Sequence, residues 1–254
     1  MDYCEDEALF TGRIDDRVAV VRFKEGLLSN LTCLMAKERL FHFLDLVEKD
    51  KKVRVLLIFG ADKRIDQDAC QGFYTKFATG EVGLDDLERL NNAVNQFVIR
   101  MTTFDKMVIH AGKGPVAPVF FNMGLACDWR IVADDTVFQN PCMDMGLIPK
   151  GGGVFFFQRL IGRGVTADLL YSGKTINAKE ALSLGLVNRV VPLDTLETEA
   201  IGSAEAFSKK PLRSILGIKR LLNYPVKELA DFLAHEDEVI RNSFIKALRG
   251  TSKR

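Results

Sequence analysis

The chain has 254 residues, of which 47% are hydrophobic and 27% charged, the proportions of an ordinary globular protein. Its 35 basic and 34 acidic side chains leave a formal net charge of +1, so no overall field favours nucleic acid or an anionic membrane. The sequence lacks an apolar run of about 18 residues and a CxxC spacing among its five cysteines, and it has three histidines. These features predict a cytoplasmic protein with reduced thiols, without a membrane span and without a metal site.

The first half of the chain alternates strand and helix signals. Val18–Phe23 is rich in β-branched residues and predicts a strand, and Leu31–Glu48 has the apolar spacing of an amphipathic helix. Val55–Phe59 is a short apolar run of the kind found in strands buried on both faces. A second amphipathic helix is predicted over Leu84–Thr102 and a second buried strand over Met107–Ala111. This order indicates an α/β architecture with crossover connections.

The second half begins in the same way and then becomes helical. The pattern predicts helix over Pro118–Cys127, strand over Trp129–Ala133, short helices over Phe156–Ile161, Ala167–Tyr171 and Ala178–Leu184, and strand over Leu186–Val191. After Pro192 it predicts three helices, over Leu196–Phe207, Leu212–Leu222 and Val226–Ala247. We therefore expect an α/β core over residues 1–195 and a helical region over residues 196–254. The helical region would pack on the core or on another subunit.

Four local motifs carry a family resemblance. Leu170–Pro192 is similar to a crotonase pattern in which a helix with Glu-Ala is followed by Gly-Leu-Val and a strand ending at proline. Val53–Gly60, Cys127–Ala133 and Gly146–Gly153 resemble three further segments of that pattern, in the same order. The chain thus resembles the crotonase superfamily of enoyl-CoA hydratases and isomerases over roughly residues 10 to 225.

This resemblance implies an α/β fold, the crotonase-like spiral of ββα repeats with a helical C-terminal region used for oligomerisation. It implies homotrimers or dimers of trimers. The implied ligand is an acyl-CoA or acyl-carrier thioester, which serves as substrate, with no further cofactor. In such proteins two backbone N–H groups form an oxyanion hole, which directs preorganised donors at the negative charge of an enolate.

The resemblance places the two oxyanion donors at Gln67 and Val119. Around Gln67 the family's small residues are replaced, and the carboxylates of Asp66 and Asp68 would oppose a developing oxyanion. Pro118 has no N–H, but Val119 has one and would lie near a helix start, where the helix dipole favours negative charge. The alternatives are a solvated loop around Gln67 and a core helix start at Val119.

The family's two catalytic glutamates fall by resemblance at Asn122 and Cys142. An asparagine cannot accept a proton at neutral pH, and a cysteine acts as a base only as thiolate. Asp144 is the carboxylate closest in sequence, and on an extended segment it would face the same way as Cys142. Asp144, Cys142 and Asn122 are therefore the candidate catalytic residues, with a structural role as the alternative for each. Ordinary hydration by a pair of glutamates is predicted to be absent.

Three further features leave alternatives open. His110 follows a buried strand, and a core or rim histidine is favoured over a catalytic one. The basic turn Lys150–Gly153 either contacts a CoA phosphate or needs unusual backbone angles. Phe155, Phe156 and Phe157 are consecutive and cannot share one helix face, so at least one would line an acyl tunnel or a subunit interface.

Two functions of different classes follow. The first is a divergent enzyme that acts on an acyl thioester with altered chemistry. The second is a non-catalytic binding or scaffold subunit with the same fold. An open cavity between Gln67, Val119 and Cys142 would favour the first hypothesis, and a cavity filled there by Phe120, Phe121 or Phe155 would favour the second.

Overall fold

The computed structural model describes residues 3–24, 33–60, 72, 75, 76, 79, 81 and 83–251, with the side chains of the last helix described through residue 246. Its strands are β1 (Tyr3–Asp6), β2 (Phe10–Asp15), β3 (Val18–Phe23), β4 (Val55–Phe59), β5 (Met107–Gly112), β6 (Pro115–Val116), β7 (Trp129–Ala133), β8 (Val137–Phe138), β9 (Ile176–Asn177) and β10 (Arg189–Val191). Its helices are α1 (Leu34–Lys49), α2 (Leu84–Thr103), α3 (Pro118–Leu125), α4 (Gly153–Ser172), α5 (Ala178–Ser183), α6 (Leu196–Ser208), α7 (Leu212–Leu222) and α8 (Val226–Thr251), with a 3₁₀ turn at Leu193–Thr195.

The main sheet has the strand order β1-β2-β3-β4-β5-β7-β10. The first three strands are antiparallel, and β3, β4, β5, β7 and β10 run parallel. All five residues of β4 are buried, as its continuous apolar run predicts for a strand covered on both faces. Between β2 and β3, Asp16 adopts the left-handed conformation (φ 46°) that a tight hairpin requires.

One face of the main sheet is covered by α1 and α2, and α8 packs on α2. Leu56 and Ile58 of β4 point to this face and pack with Phe43, Val98 and other buried residues of the helices. Gly12 on β2 is required here, because a Cβ at this position would lie 2.7 Å from the Phe43 ring. The amphipathic spacing predicts the buried stripe of α2 correctly. In α1 it predicts Leu40, Leu44 and Val47 correctly, whereas Leu34 and Met35 are exposed at the helix start.

The opposite face is covered by α6. Val55, Leu57 and Phe59 point to this face, where Ala200 and Ala204 are completely buried. The small alanines let the helix approach the sheet closely. Residues 196–208 thus form part of the sheet's packing, and the proposed division between residues 195 and 196 stays a prediction.

A second sheet of three short strands, in the order β6-β8-β9, lies with α3, α4 and α5 around a third apolar cluster. α5 begins with a capping box, in which the Asn177 side chain accepts from the Glu180 N–H at 2.9 Å and Glu180 accepts from the Asn177 N–H at 3.0 Å. This small layer positions the candidate site, because α3 and the first turn of α4 both pack into it.

The predicted break within α4 is also present. The sequence predicts two short helices over Phe156–Ile161 and Ala167–Tyr171, and the observed helix is interrupted by Gly162 at φ 76°. A positive φ is open to glycine at little cost, which explains the change of direction. None of the described helices has the length and apolarity that a bilayer crossing requires.

Candidate functional site

The site is built on the start of α3. The predicted helix is confirmed, with Pro118 as its first residue and the preceding Ala117 in an extended conformation. The first N–H groups of a helix have no acceptor within it, so the Val119 N–H lies where the helix dipole favours a negative group. The Val119 side chain is buried. The other predicted donor, Gln67, lies outside the described residues.

Asn122 is buried against the first turn of α4. Its Nδ2 donates a hydrogen bond of 2.8 Å to the Lys150 carbonyl. A Cβ at Gly153 would lie 2.4 Å from the Asn122 amide, so glycine is required for this approach. The Lys150 carbonyl fixes which end of the amide faces the turn, and the amide offers hydrogen bonds but no titratable proton.

Cys142 and Asp144 do not point the same way. The segment forms successive turns instead of an extended strand, with Met145 N–H donating to Pro141 O at 3.0 Å and Leu147 N–H donating to Cys142 O at 2.7 Å. As a result Cys142 is buried, whereas Asp144 is exposed. The Asp144 carboxylate lies beside Gly173, the left-handed residue that follows α4. The expectation of a shared face is therefore wrong, because turn geometry replaces the alternation of a strand.

The Lys150–Gly153 turn has the unusual backbone angles that its glycines predict. Gly151 and Gly152 have φ values of 93° and 72°. Lys150 does not extend to solvent: its Nζ lies 3.0 Å from Glu236 Oε2, 2.6 Å from Asp237 Oδ1 and 2.5 Å from Asn95 Oδ1. Its three donors are thus engaged within the chain, which argues against the phosphate contact that the sequence left open.

Glu236 also contacts this turn, although its sequence position did not predict it. Its carboxylate accepts from the Gly151 N–H at 3.0 Å and from the Gly152 N–H at 3.0 Å, and the residue is 5% exposed. Burial raises the pKa of this carboxyl group, while the Lys150 ammonium and the two N–H groups act in the opposite direction. Its position in the charged stretch 235–238 resembles a solvated face. Its spacing from Leu229 and Leu233 nevertheless places it on their buried face.

The cavity beside Asn122 is small. It has a volume of about 20 Å³. Its walls are formed by Pro118, Phe121, Asn122, Phe138, Gln139, Asn140, Pro149, Phe157, Leu169, Leu170 and Ile176. The Phe121 ring stacks on Phe138 with centroids 3.8 Å apart and meets Phe157 edge-on at 5.5 Å. A cavity of this size holds about one water molecule.

Comparison with known proteins identifies the family. A family model described as enoyl-CoA hydratase/isomerase matches residues 13–247. The chain belongs to the enoyl-CoA hydratase/isomerase family. Among curated members of this family, a trans-2-decenoyl-[acyl-carrier-protein] isomerase of Streptococcus mutans is 28% identical over 72% of this chain and 70% of that protein. A probable enoyl-CoA hydratase of Bacillus subtilis is 30% identical over 78% of this chain and 73% of that protein.

Other relatives differ in extent. A crotonyl-CoA hydratase of Syntrophomonas wolfei is 34% identical over 60% of this chain and 57% of that protein, so the chain spans just over half of it. Solved structures confirm the crotonase fold. The enoyl-CoA hydratase of Bacillus halodurans superposes with a TM-score of 0.77, at 21% identity over 93% of this chain and 95% of that chain. A probable enoyl-CoA hydratase of Mycobacterium thermoresistibile gives 0.74 at 19% identity, over 96% and 99% of the two chains.

In this enoyl-CoA hydratase/isomerase family member, His110 is a packed side chain of β5. Its Nδ1 would lie 3.3 Å from a Cβ at Gly124 on α3. Burial, assisted by the positive charge of Arg130, lowers the pKa of His110 to about 4. The imidazole is therefore neutral at physiological pH, as suits the core or rim role that the sequence favours.

The His110 environment predicts a pH effect on stability. In the unfolded chain His110 binds a proton below a pKa of about 6.5, whereas in the folded chain it stays neutral down to about pH 4. The free energy of unfolding should therefore fall as the pH drops through this window, by at most about 3 kcal/mol. Urea unfolding of the wild type and of His110→Gln at several pH values tests this.

The control for this experiment is His235→Gln, which changes an exposed histidine. As the pH falls, we expect the free energy of unfolding of the wild type to decrease relative to that of His110→Gln. The free energy of unfolding of His235→Gln should decrease in parallel with that of the wild type. Parallel pH profiles for wild type and His110→Gln would contradict the neutral, partly buried imidazole.

Proposed function

We propose that this protein binds an acyl thioester of CoA or of an acyl carrier, with its carbonyl at the start of α3, and does not hydrate enoyl thioesters through a carboxylate pair. The Asn122–Lys150 hydrogen bond of 2.8 Å carries the proposal. This hydrogen bond holds the Asn122 amide against the turn before α4. The family resemblance expects a proton-transferring glutamate at position 122. An amide there can orient a ligand by hydrogen bonding but cannot shuttle its proton.

The start of α3 supports thioester binding. The Val119 N–H lies at a helix N-terminus and can donate to a carbonyl oxygen that gains negative charge. Gln67 is the second donor that the resemblance implies. The names of two relatives refer to a decenoyl thioester of acyl-carrier protein and to crotonyl-CoA, which indicates the ligand class to test.

Altered chemistry on that thioester would use Asp144 or Cys142. The exposed position of Asp144 makes it reachable by a ligand, although its carboxylate lies beside Gly173. Cys142 is buried, so a role as a thiolate would require the turn of residues 141–147 to open. Asp144 is therefore the stronger candidate for proton transfer.

A non-catalytic binding or scaffold subunit is the second candidate function. The stack of Phe121 on Phe138 favours it, because these rings leave a cavity of about 20 Å³ beside Asn122. A subunit that binds a thioester without transforming it needs no proton-transfer group. The two candidates share the ligand and differ in turnover.

A matched pair of ligands tests thioester binding. Crotonyl-CoA should raise the melting temperature, with a stabilisation of about 2.7 kcal/mol at a concentration of about 100 times its Kd. The corresponding thioether, which lacks the carbonyl oxygen, should bind about 10-fold more weakly, since it loses the hydrogen bonds at Val119 and Gln67. Equal binding of both ligands, or stabilisation by no CoA or carrier thioester, would reject the proposed site.

A turnover screen separates the two candidates. Enoyl thioesters of several chain lengths are incubated with the wild type and with Asp144→Asn and Cys142→Ser, and hydration and double-bond migration are followed. Turnover that Asp144→Asn abolishes supports altered chemistry and rejects the non-catalytic subunit. If the wild type binds these thioesters and neither it nor the two variants turns them over, the non-catalytic subunit is supported.

The implied assembly is a homotrimer or a dimer of trimers. Exposed apolar side chains around the end of α7 support an association surface, and they are Ile218, Leu221, Leu222 and Tyr224. Light scattering on the purified protein measures the assembly directly, and a monomer at micromolar concentration would contradict it.

A further inference from the structure

We propose that Glu236 and Lys150 are positioning residues of the candidate site, through which the C-terminal helix α8 holds Asn122 in place. The inference rests on the proposed function, since it assigns to that site a support that lies more than 80 residues further along the chain. Neither residue needs to touch the ligand. Their effect passes through the backbone of the turn that precedes α4.

Helix α8 contacts the Lys150–Gly153 turn through polar and apolar side chains. Glu236 places its carboxylate between the Gly151 and Gly152 N–H groups, at 3.0 Å from each. These N–H groups belong to the N-terminal end of α4, where a carboxylate is favoured by the helix dipole. Leu229 and Leu233 of the same helix approach Gly152, within 3.5 Å of where its Cβ would be. Backbone and apolar contacts thus fix the turn to α8.

The charge of Glu236 is balanced by the Lys150 ammonium and its neighbours. The Lys150 ammonium lies between two carboxylates of α8, 3.0 Å from Glu236 Oε2 and 2.6 Å from Asp237 Oδ1. Asn95 of α2 accepts from Lys150 and donates to Asp237 Oδ2 at 2.7 Å. Among the described residues, Glu236 itself contacts the Lys150 ammonium and two backbone N–H donors, and Asp237 and Asn95 complete the surroundings of that ammonium. A charge placed so deeply is retained because each partner satisfies another.

Lys150 connects the turn to Asn122. The Lys150 carbonyl that receives the Asn122 hydrogen bond belongs to the same residue whose ammonium is held by α8. On the other side of this residue, a Cβ at Gly151 would lie 3.4 Å from Asn122 Cβ and 3.7 Å from the Val119 carbonyl. A displacement of the turn would therefore move Asn122 or leave its amide unpaired. The charge of Glu236 controls the geometry around Val119 and Asn122.

Hydrogen exchange tests this without any ligand. In Glu236→Gln the side chain keeps its size and loses its charge, and we expect the amides of residues 150–157 to exchange about 10- to 100-fold faster, as expected for loss of one or two charge-assisted hydrogen bonds. Amides of β4 should change by less than about 2-fold after normalisation to global stability. The matched control is Glu238→Gln, two residues further along α8, where the side chain is 70% exposed.

Ligand binding supplies the second readout. Glu236→Gln should weaken crotonyl-CoA binding by a factor similar to its effect on exchange, Glu238→Gln should bind as the wild type does, and Glu236→Asp, which keeps the charge, should recover part of the loss. Unchanged exchange at residues 150–157, or equal acceleration throughout the chain, would overturn the positioning role. If the wild type binds no thioester, the proposed function fails, while the exchange result still decides whether α8 holds the turn. Should Glu236→Gln fail to fold, Glu236→Asp is compared with Glu238→Asp in the same assay.

Discussion

Replacing Lys219 by methionine is expected to lower the free energy of unfolding by about 3–5 kcal/mol, the usual cost of removing one partner from a buried ion pair. Lys219 is 5% exposed, and its Nζ donates to Asp128 Oδ2 at 2.8 Å, to Met101 O at 2.9 Å and to Lys106 O at 3.2 Å. Methionine fills a similar volume but removes the ammonium that the partly buried Asp128 carboxylate and two carbonyl groups contact.

Most of the lost free energy of unfolding should come from the broken Lys219–Asp128 ion pair. Burial raises the pKa of Asp128, and Lys219 acts against that shift, so Asp128 in the variant should take up a proton more readily. The control is Arg220→Met on the next residue of α7, whose side chain is 75% exposed, and its expected effect is within about 0.5 kcal/mol. Urea unfolding measures both variants. A Lys219→Met protein as stable as Arg220→Met would contradict the buried pair.

Replacing Phe121 by alanine is expected to cost about 3–5 kcal/mol and to open the cavity beside Asn122. The ring is buried and is in contact with both Phe138 and Phe157, so its removal takes away transfer free energy and two aromatic contacts. The space released adjoins the present cavity of about 20 Å³, with Asn122 and Pro118 in its wall.

The same variant also bears on the function. If Phe121 closes the acyl space, Phe121→Ala should bind longer enoyl thioesters more tightly relative to CoA than the wild type does, despite its lower stability. Phe120→Ala is the control, because Phe120 is only partly buried and does not line this cavity. It should be less destabilised and show no change in ligand preference. Calorimetric titration with a series of chain lengths provides the measurement, and equal preferences in the two variants would contradict the blocking role.

The sequence predicts elements best where burial dictates the residue pattern. Val55–Phe59 matches its strand, because a strand covered on both faces must be apolar throughout. Trp129–Ala133 also matches its strand, although it includes the buried Arg130. Leu212–Leu222 matches α7, where apolar and basic residues alternate with the helical period. The short strands Pro115–Val116, Val137–Phe138 and Ile176–Asn177 were not predicted, since two residues are too few to carry a period.

The site was harder to predict because its contacts are long-range. The positions of Val119 and Asn122 on one helix followed from a local pattern, and the structure places both beside the glycine turn. The different orientations of Cys142 and Asp144 depend on turn hydrogen bonds that no periodicity encodes. Glu236 reaches this turn from a helix more than 80 residues away, and only its spacing from Leu229 and Leu233 marks it as buried.

The packing of α6 also has a consequence for how the chain is made. Every strand of the main sheet precedes Leu196 in the sequence, yet Ala200 and Ala204 cover the face formed by Val55, Leu57 and Ile109. During synthesis from the N-terminus, that surface therefore remains uncovered until residues 196–208 have left the ribosome. A nascent chain paused before this point presents a broad apolar sheet to its surroundings, which is the kind of surface that chaperones bind and that drives aggregation.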